Sequence, residues 1–146
     1  MQFTQTQALD AYHALHHKQN ALLTAVGALC GSIPAGFLFY WFSSLGGAFI
    51  ILLVVPSLII GLFARFIGHP YELAPRIPVA SFAAVIHCIG VIAFGLQPMV
   101  LILAPCCFLV ALGTSKTGMS PLERFAVTQV ELGYLSLKSA PQKTTK

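Results

Sequence analysis

The chain has 146 residues, of which 57% are hydrophobic and only 8% are Asp, Glu, Lys or Arg, and its formal net charge is +4. A soluble domain carries about a quarter of its residues as charged side chains to solvate its exterior, so this composition excludes one. It also excludes a nucleic-acid-binding domain, a disordered chain and a disulfide-stapled secreted module, and it points to an all-α integral membrane protein.

Charge placement sets the number of crossings. Residues 19–64 and 77–115 contain none of the four charged types. One crossing takes about 20 residues, so each block is too long for one span and right for two. The expected architecture is a four-helix bundle made of two helical hairpins, with spans at about 21–42, 45–64, 78–96 and 98–115. All Lys and Arg then fall in the N-terminal segment, the loop 65–77 or the C-terminal segment. With four spans these regions share one side, and the positive-inside rule makes it the cytoplasm, so both termini are expected there and the inner membrane of a bacterial-type cell is the expected location.

In chain order, Thr4 and Gln7 have capping-box spacing, and Ala8, Leu9, Tyr12 and Leu15 recur at helical intervals. This predicts an amphipathic segment over 4–18 against the inner leaflet. On that helix Asp10, His13 and His17 share one face, where a carboxylate and two imidazoles could converge on a divalent metal. The run His13-Ala14-Leu15-His16-His17 resembles one histidine box of the membrane-bound fatty acid desaturase and hydroxylase family, whose di-iron sites lie at the cytoplasmic face of a four-helix membrane domain. The resemblance covers those five residues. The family needs further boxes, and neither His69 nor His87 begins one. The other reading of the run is solvated histidines at the headgroup boundary.

The first span carries Gly27, Gly31 and Ala35 at four-residue spacing, a strip that lets a second helix approach closely. A cleaved signal peptide would need a shorter apolar region and a more basic start, so this span is expected to be an uncleaved signal anchor. Ser43, Ser44, Gly46 and Gly47 break it from the second span, where Ser57 and Gly61 repeat the small-residue pattern. The third span has Ala80, Ala84 and Cys88 at the same spacing, and Gly95 to Pro98 separates it from the fourth. Pro34, Pro56 and Pro105 fall inside three of the spans, each expected to remove a backbone hydrogen bond and kink its helix. Leu53-Val54-Val55-Pro56-Ser57 and Leu103-Ala104-Pro105-Cys106 form a faint echo, as a duplicated hairpin would. Ser120, Pro121 and Glu123 then supply an N-cap, a first-turn proline and a capping-box acid for an amphipathic segment over 120–137, followed by an expected disordered tail over 138–146.

Counted from the cytoplasmic ends at about 1.5 Å per residue, Cys30, Ser57, His87 and Cys107 all come to a depth of about 12 to 14 Å, with Cys88 and Cys106 beside them. An ionisable residue at mid-bilayer is a functional hypothesis by default, and thiolate with imidazole would suit Cu(I) or Zn. The plainer reading is packing, because Cys behaves as a small hydrophobe and a neutral His can settle on a hydroxyl or a carbonyl. No cofactor is expected on that reading.

The apolar blocks contain no acid or base of the kind that small ion-coupled antiporters bury, and their outer loops lack the cysteine pairs of a disulfide-forming enzyme. The leading expectation is a non-catalytic accessory or assembly subunit, or a homo-oligomer joined through its small-residue strips, with the bilayer and another membrane protein as partners and no nucleic acid. The alternatives are a transporter or channel for a metal ion or small neutral solute lined by the Cys/His layer, and a metal-dependent membrane enzyme at the cytoplasmic histidines.

Overall fold

The computed structural model describes residues 4–45 and 47–134. Among these it is all-helical, with three helices long and apolar enough to cross a membrane, Ala21–Ser44, Ile50–Gly68 and Arg76–Ala93, and one shorter apolar helix, Pro98–Thr114. The chain divides into two compact units. One comprises residues 19–117, and the other comprises the described residues on either side of it, 4–18 and 118–134.

The second of these units is a pair of helices. Helix α1, Gln5–Lys18, packs against α6, Pro121–Glu131, burying Ala8 and Leu15 of one and Ala126 of the other. The N-terminal capping box is half formed, with the Thr4 N–H donating to Gln7 Oε1 at 3.2 Å. The one at α6 is complete: the Ser120 N–H donates to Glu123 Oε2 at 2.6 Å and the Glu123 N–H to Ser120 Oγ at 3.3 Å. Helix α6 stops at Glu131, short of the predicted 137, because Gly133 takes a positive φ of 75°. The predicted tail over 138–146 lies outside the described residues.

The larger unit contains α2, Ala21–Ser44; a 3-10 segment, Gly47–Val54, running into α3, Val55–Gly68; α4, Arg76–Ala93; and a second 3-10 segment, Pro98–Leu103, running into α5, Ala104–Thr114. Asn20 starts α2 from an extended conformation, its Oδ1 accepting from the Leu22 and Leu23 N–H groups at 3.0 and 3.1 Å. Pro34 lies inside α2 as predicted from its position. Pro56 and Pro105 are placed differently, each just after a 3-10 segment. Each sits in the first turn of its α-helix, where an N–H would have no intrahelical acceptor in any case. What precedes each proline is a change of helix type. The long helices also run past their predicted limits at the charged end. Helix α3 carries half-buried Arg65 and continues to Gly68, and α4 begins at Arg76, where Leu73 O accepts both the Arg76 and Ile77 N–H groups.

Small residues set the spacing of α2 and α3. A Cβ on Gly27 would lie 2.7 Å from Phe63 O, and one on Gly31 would lie 2.9 Å from Phe63 Cβ, so side chains at those positions would force the helices apart. Gly61 is closed in the same way by Thr114 and the Ala111 carbonyl of α5. One core cluster joins Ala28, Ala35, Ile60, Ala64, Val79, Ala80, Ala83 and Ala111, and a second, near the two 3-10 segments, joins Phe39, Leu53, Val91 and Val100.

At one end of this unit the helix termini are tied by polar groups. Gln19 Oε1 accepts from the Tyr71 and Glu72 N–H groups, each at 3.1 Å, and Gln19 Nε2 donates to Glu72 Oε2 at 3.2 Å. The Asn20 N–H donates to Gly68 O at 3.1 Å and the Thr117 N–H to Pro70 O at 3.1 Å. The Arg76 guanidinium donates to Leu112 O near the end of α5, where a cation also meets the negative end of the helix dipole. The start of α2, the end of α3, the start of α4 and the end of α5 therefore lie together.

Candidate functional site

His87 is the centre of the predicted midplane layer, and its position follows from α4. Val79, Ala80, Ala83, His87 and Val91 form the buried stripe of that helix, so the imidazole faces the interior at 2% exposure. Its Nε2 lies 3.2 Å from the Val100 carbonyl oxygen. A carbonyl can only accept, so Nε2 carries a proton and donates it, while Nδ1 is buried and has no hydrogen-bond partner among the described residues. The Phe39 ring stands edge-on to the imidazole with centroids 5.6 Å apart, and Phe39 fits because α4 has Gly90 there: a Cβ would come within 2.8 Å of Phe39 Cε1.

The other members of the layer separate. Cys107 is fully buried on α5, near buried Ser57 of α3, with half-buried Cys88 of α4 and exposed Cys106 also nearby. Cys30 is also exposed on its helix surface. The layer is thus two arrangements, His87 with Val100 and Phe39, and Cys107 with Ser57, rather than one convergent ligand set. Among the described residues no three His, Cys, Asp or Glu side chains come together in a way that could hold a metal ion. Asp10, His13 and His17 are all exposed on α1, and Tyr12 stacks on His16 and meets His13 edge-on, both at 6.1 Å between centroids.

The predicted packing residues Gly27, Gly31, Ala35, Ala80, Ser57 and Gly61 are buried and Ala84 is half-buried. Gly27 and Gly31 face α3, and Gly61 faces α5, within the same chain. Three serines of α2 are satisfied within the helix itself: Ser32 Oγ donates to Leu29 O, Ser43 Oγ to Tyr40 O and Ser44 Oγ to Trp41 O, at 2.6 to 2.7 Å.

Two hollows remain. A cavity of about 250 Å³ lies between the 3-10 segments, with Ser43, Ile50 and Leu53 on one side and Gly95, Gln97 and Val100 on the other. A more apolar groove of about 390 Å³ separates α2 from α4 and is lined by Ala21, Ala25, Ala28, Pro75, Pro78 and Phe82.

Sequence reasoning passed over Gln19, Tyr71, Glu72 and Arg76, which tie the helix ends. The available signal was Gln19-Asn20 immediately before an uncharged block, matched by the single acid of the middle loop. The partners of His87 left no comparable mark, because one is a backbone carbonyl and the other an aromatic ring on another helix. Comparison with protein-family models, curated proteins and solved structures finds no match.

Proposed function

We propose that this protein crosses a bacterial-type inner membrane four times with both termini in the cytoplasm, and that it works without catalysis as an accessory or assembly subunit of another membrane protein or as a homo-oligomer. The topology rests on the polar tie. It gathers four helix ends at one level, the same level that holds Arg65, Glu72, Arg76 and Lys116, while residues 19–64 and 77–115 between those ends are uncharged. Length agrees as well. At about 2.0 Å per residue in 3-10 and 1.5 Å in α geometry, Pro98–Thr114 reaches about 28 Å, close to a hydrocarbon core of about 30 Å. Reporter fusions after Leu45 and after Gln97 should read outside the cytoplasm; a cytoplasmic reading at either would overturn the four-span topology.

The observation that carries the non-catalytic reading is an interior occupied with its own packing: His87 on a carbonyl, Cys107 fully buried, serines bonded back into their helix and glycines seated under neighbouring backbone. Large apolar and aromatic side chains point outward instead, among them Phe37 at 74% and Trp41 at 64% exposure. Such a surface suits lipid and other membrane helices. Mass spectrometry of the protein released in mild detergent should find a stable protein partner or a defined oligomer, and a bare monomer would count against this role. A second reading, passage of a small neutral solute, is favoured by the two helices that change type beside the 250 Å³ cavity.

A further inference from the structure

The groove between α2 and α4 originates in how α2 is packed. Gly27 and Gly31 seat that helix on α3, and toward α4 it presents Ala21, Ala25 and Ala28, a methyl group at each position. Further along, the two helices meet. The Phe39 ring fills the space over Gly90, and Phe94, just past α4, stacks on Phe39 and lies against Tyr40. Nearer the first residues of both helices these alanines leave the space open, and a groove of about 390 Å³ remains, with Pro75, Pro78, Val79 and Phe82 as its other wall.

Lining and depth both suit a hydrocarbon chain. Every described side chain that lines the groove is apolar, and the prolines at 75 and 78 take two N–H groups away from the start of α4. The other two N–H groups of that turn, on Arg76 and Ile77, both donate to Leu73 O, so the wall offers a ligand no backbone donor there. Ala21, Ala25, Leu29 and Pro78 are exposed, so the groove opens on the outer surface of the helices. From Ala21 to Leu29 it runs about 12 Å along α2, which stays within the about 15 Å of one hydrocarbon leaflet. Its volume falls in the range of small-ligand sites.

The groove begins at the polar end of the unit, and the charge there is one-sided. In residues 19–117 the cations are Arg65, Arg76 and Lys116 and the only acid is Glu72, whose oxygens accept from Gln19 and Tyr71. Three cations against one acid leave an excess of two positive charges, and Arg76 follows directly on Pro75, where the groove starts. We infer that the groove holds an acyl chain of one anionic phospholipid, drawn from the leaflet at this end, with the headgroup phosphate beside Arg76. The inference rests on the membrane placement proposed above only in setting this end at headgroup level, and it needs neither a partner protein nor an oligomer.

Native mass spectrometry of the whole protein tests it, after nanodiscs of equal phosphatidylglycerol and phosphatidylcholine are dissolved in mild detergent. Each chain should keep one phospholipid, with phosphatidylglycerol about fivefold over phosphatidylcholine, the scale of one basic residue at an anionic surface. Ala25→Trp brings an indole into the groove from an exposed position, where it displaces no buried side chain, and should lose the lipid. Ile92→Trp, on an exposed site about 15 Å along α4 from Phe82, should keep it. A folded protein that emerges without lipid, whether bare or with another protein in its place, would overturn the inference. So would equal retention of the two headgroups, or an Ala25→Trp protein that keeps its lipid. The same spectra count chains separately, so a monomer carrying one lipid contradicts the subunit role and supports the groove as a lipid site.

Discussion

At the scale of single residues, the cysteines show how little a shared depth says about a shared site. Depth along four helices could be counted from the sequence; the angle at which each side chain leaves its helix could not. Cys107 points inward to Ser57 and Cys30 points outward, so substitutions of the same kind should differ. Cys107→Leu adds volume to a fully buried position and is expected to lower stability by about 1 to 3 kcal/mol, whereas Cys30→Leu on an exposed face should stay within about 0.5 kcal/mol. Thermal unfolding in one detergent, with both variants side by side, reads the difference. Similar losses at the two positions would mean that Cys30 also has a packing or binding partner. His87 belongs to the same lesson: it was legible as the one histidine in either apolar block, but its bond to Val100 depends on the local geometry of a segment 13 residues further along the chain.

At the scale of elements, periodicity and block length were enough to find the helices, while helix type was not. Pro56 and Pro105 were visible as prolines in apolar runs, and a proline in such a run reads as a kink unless the preceding turns are known to be 3-10. Ser120 with Glu123 was legible because a capping box is a local bond between residues three apart. The small-residue strips were legible as close approaches, but the spacing alone left open whether the approaching helix came from this chain or another copy. For Gly27 the answer is α3. Gly27→Ala is expected to cost about 1 to 3 kcal/mol, because the new methyl would press on the Phe63 carbonyl and the Ala64 backbone, neither of which can swing aside. Gly36 on the same helix is open: a Cβ there would meet nothing within 4 Å. Gly36→Ala should therefore be neutral or slightly stabilising, since alanine favours a helix by about 1 kcal/mol over glycine. Unfolding midpoints of the two variants in the same detergent separate the positions. If Gly36→Ala is the damaging change, the outward face of α2 is the one that packs.

At the scale of the whole molecule, the feature that organises the larger unit is its polar end, and Gln19 joins the start of α2 to the middle loop there. Its amide accepts two backbone N–H groups from the loop after α3 and donates to Glu72, whose other oxygen accepts from Tyr71 Oη at 2.8 Å. One side chain thereby fixes where the middle loop sits over the start of α2. Gln19→Leu would leave the Tyr71 and Glu72 N–H groups without that acceptor, at an expected cost of about 1 to 3 kcal/mol. The loss should be local, because Gly27 and Gly31 still seat α2 on α3 and the Asn20 N–H still reaches Gly68 O. Protease cleavage between residues 69 and 75 should therefore quicken severalfold in Gln19→Leu while the apolar helices stay intact and resistant. Lys116→Leu, at an exposed residue of the same end, should leave the cleavage rate unchanged. If the loop is no more accessible in Gln19→Leu than in the unmodified protein, the other ties at this end, Asn20 to Gly68 and Thr117 to Pro70, hold it by themselves and Gln19 does not organise the fold.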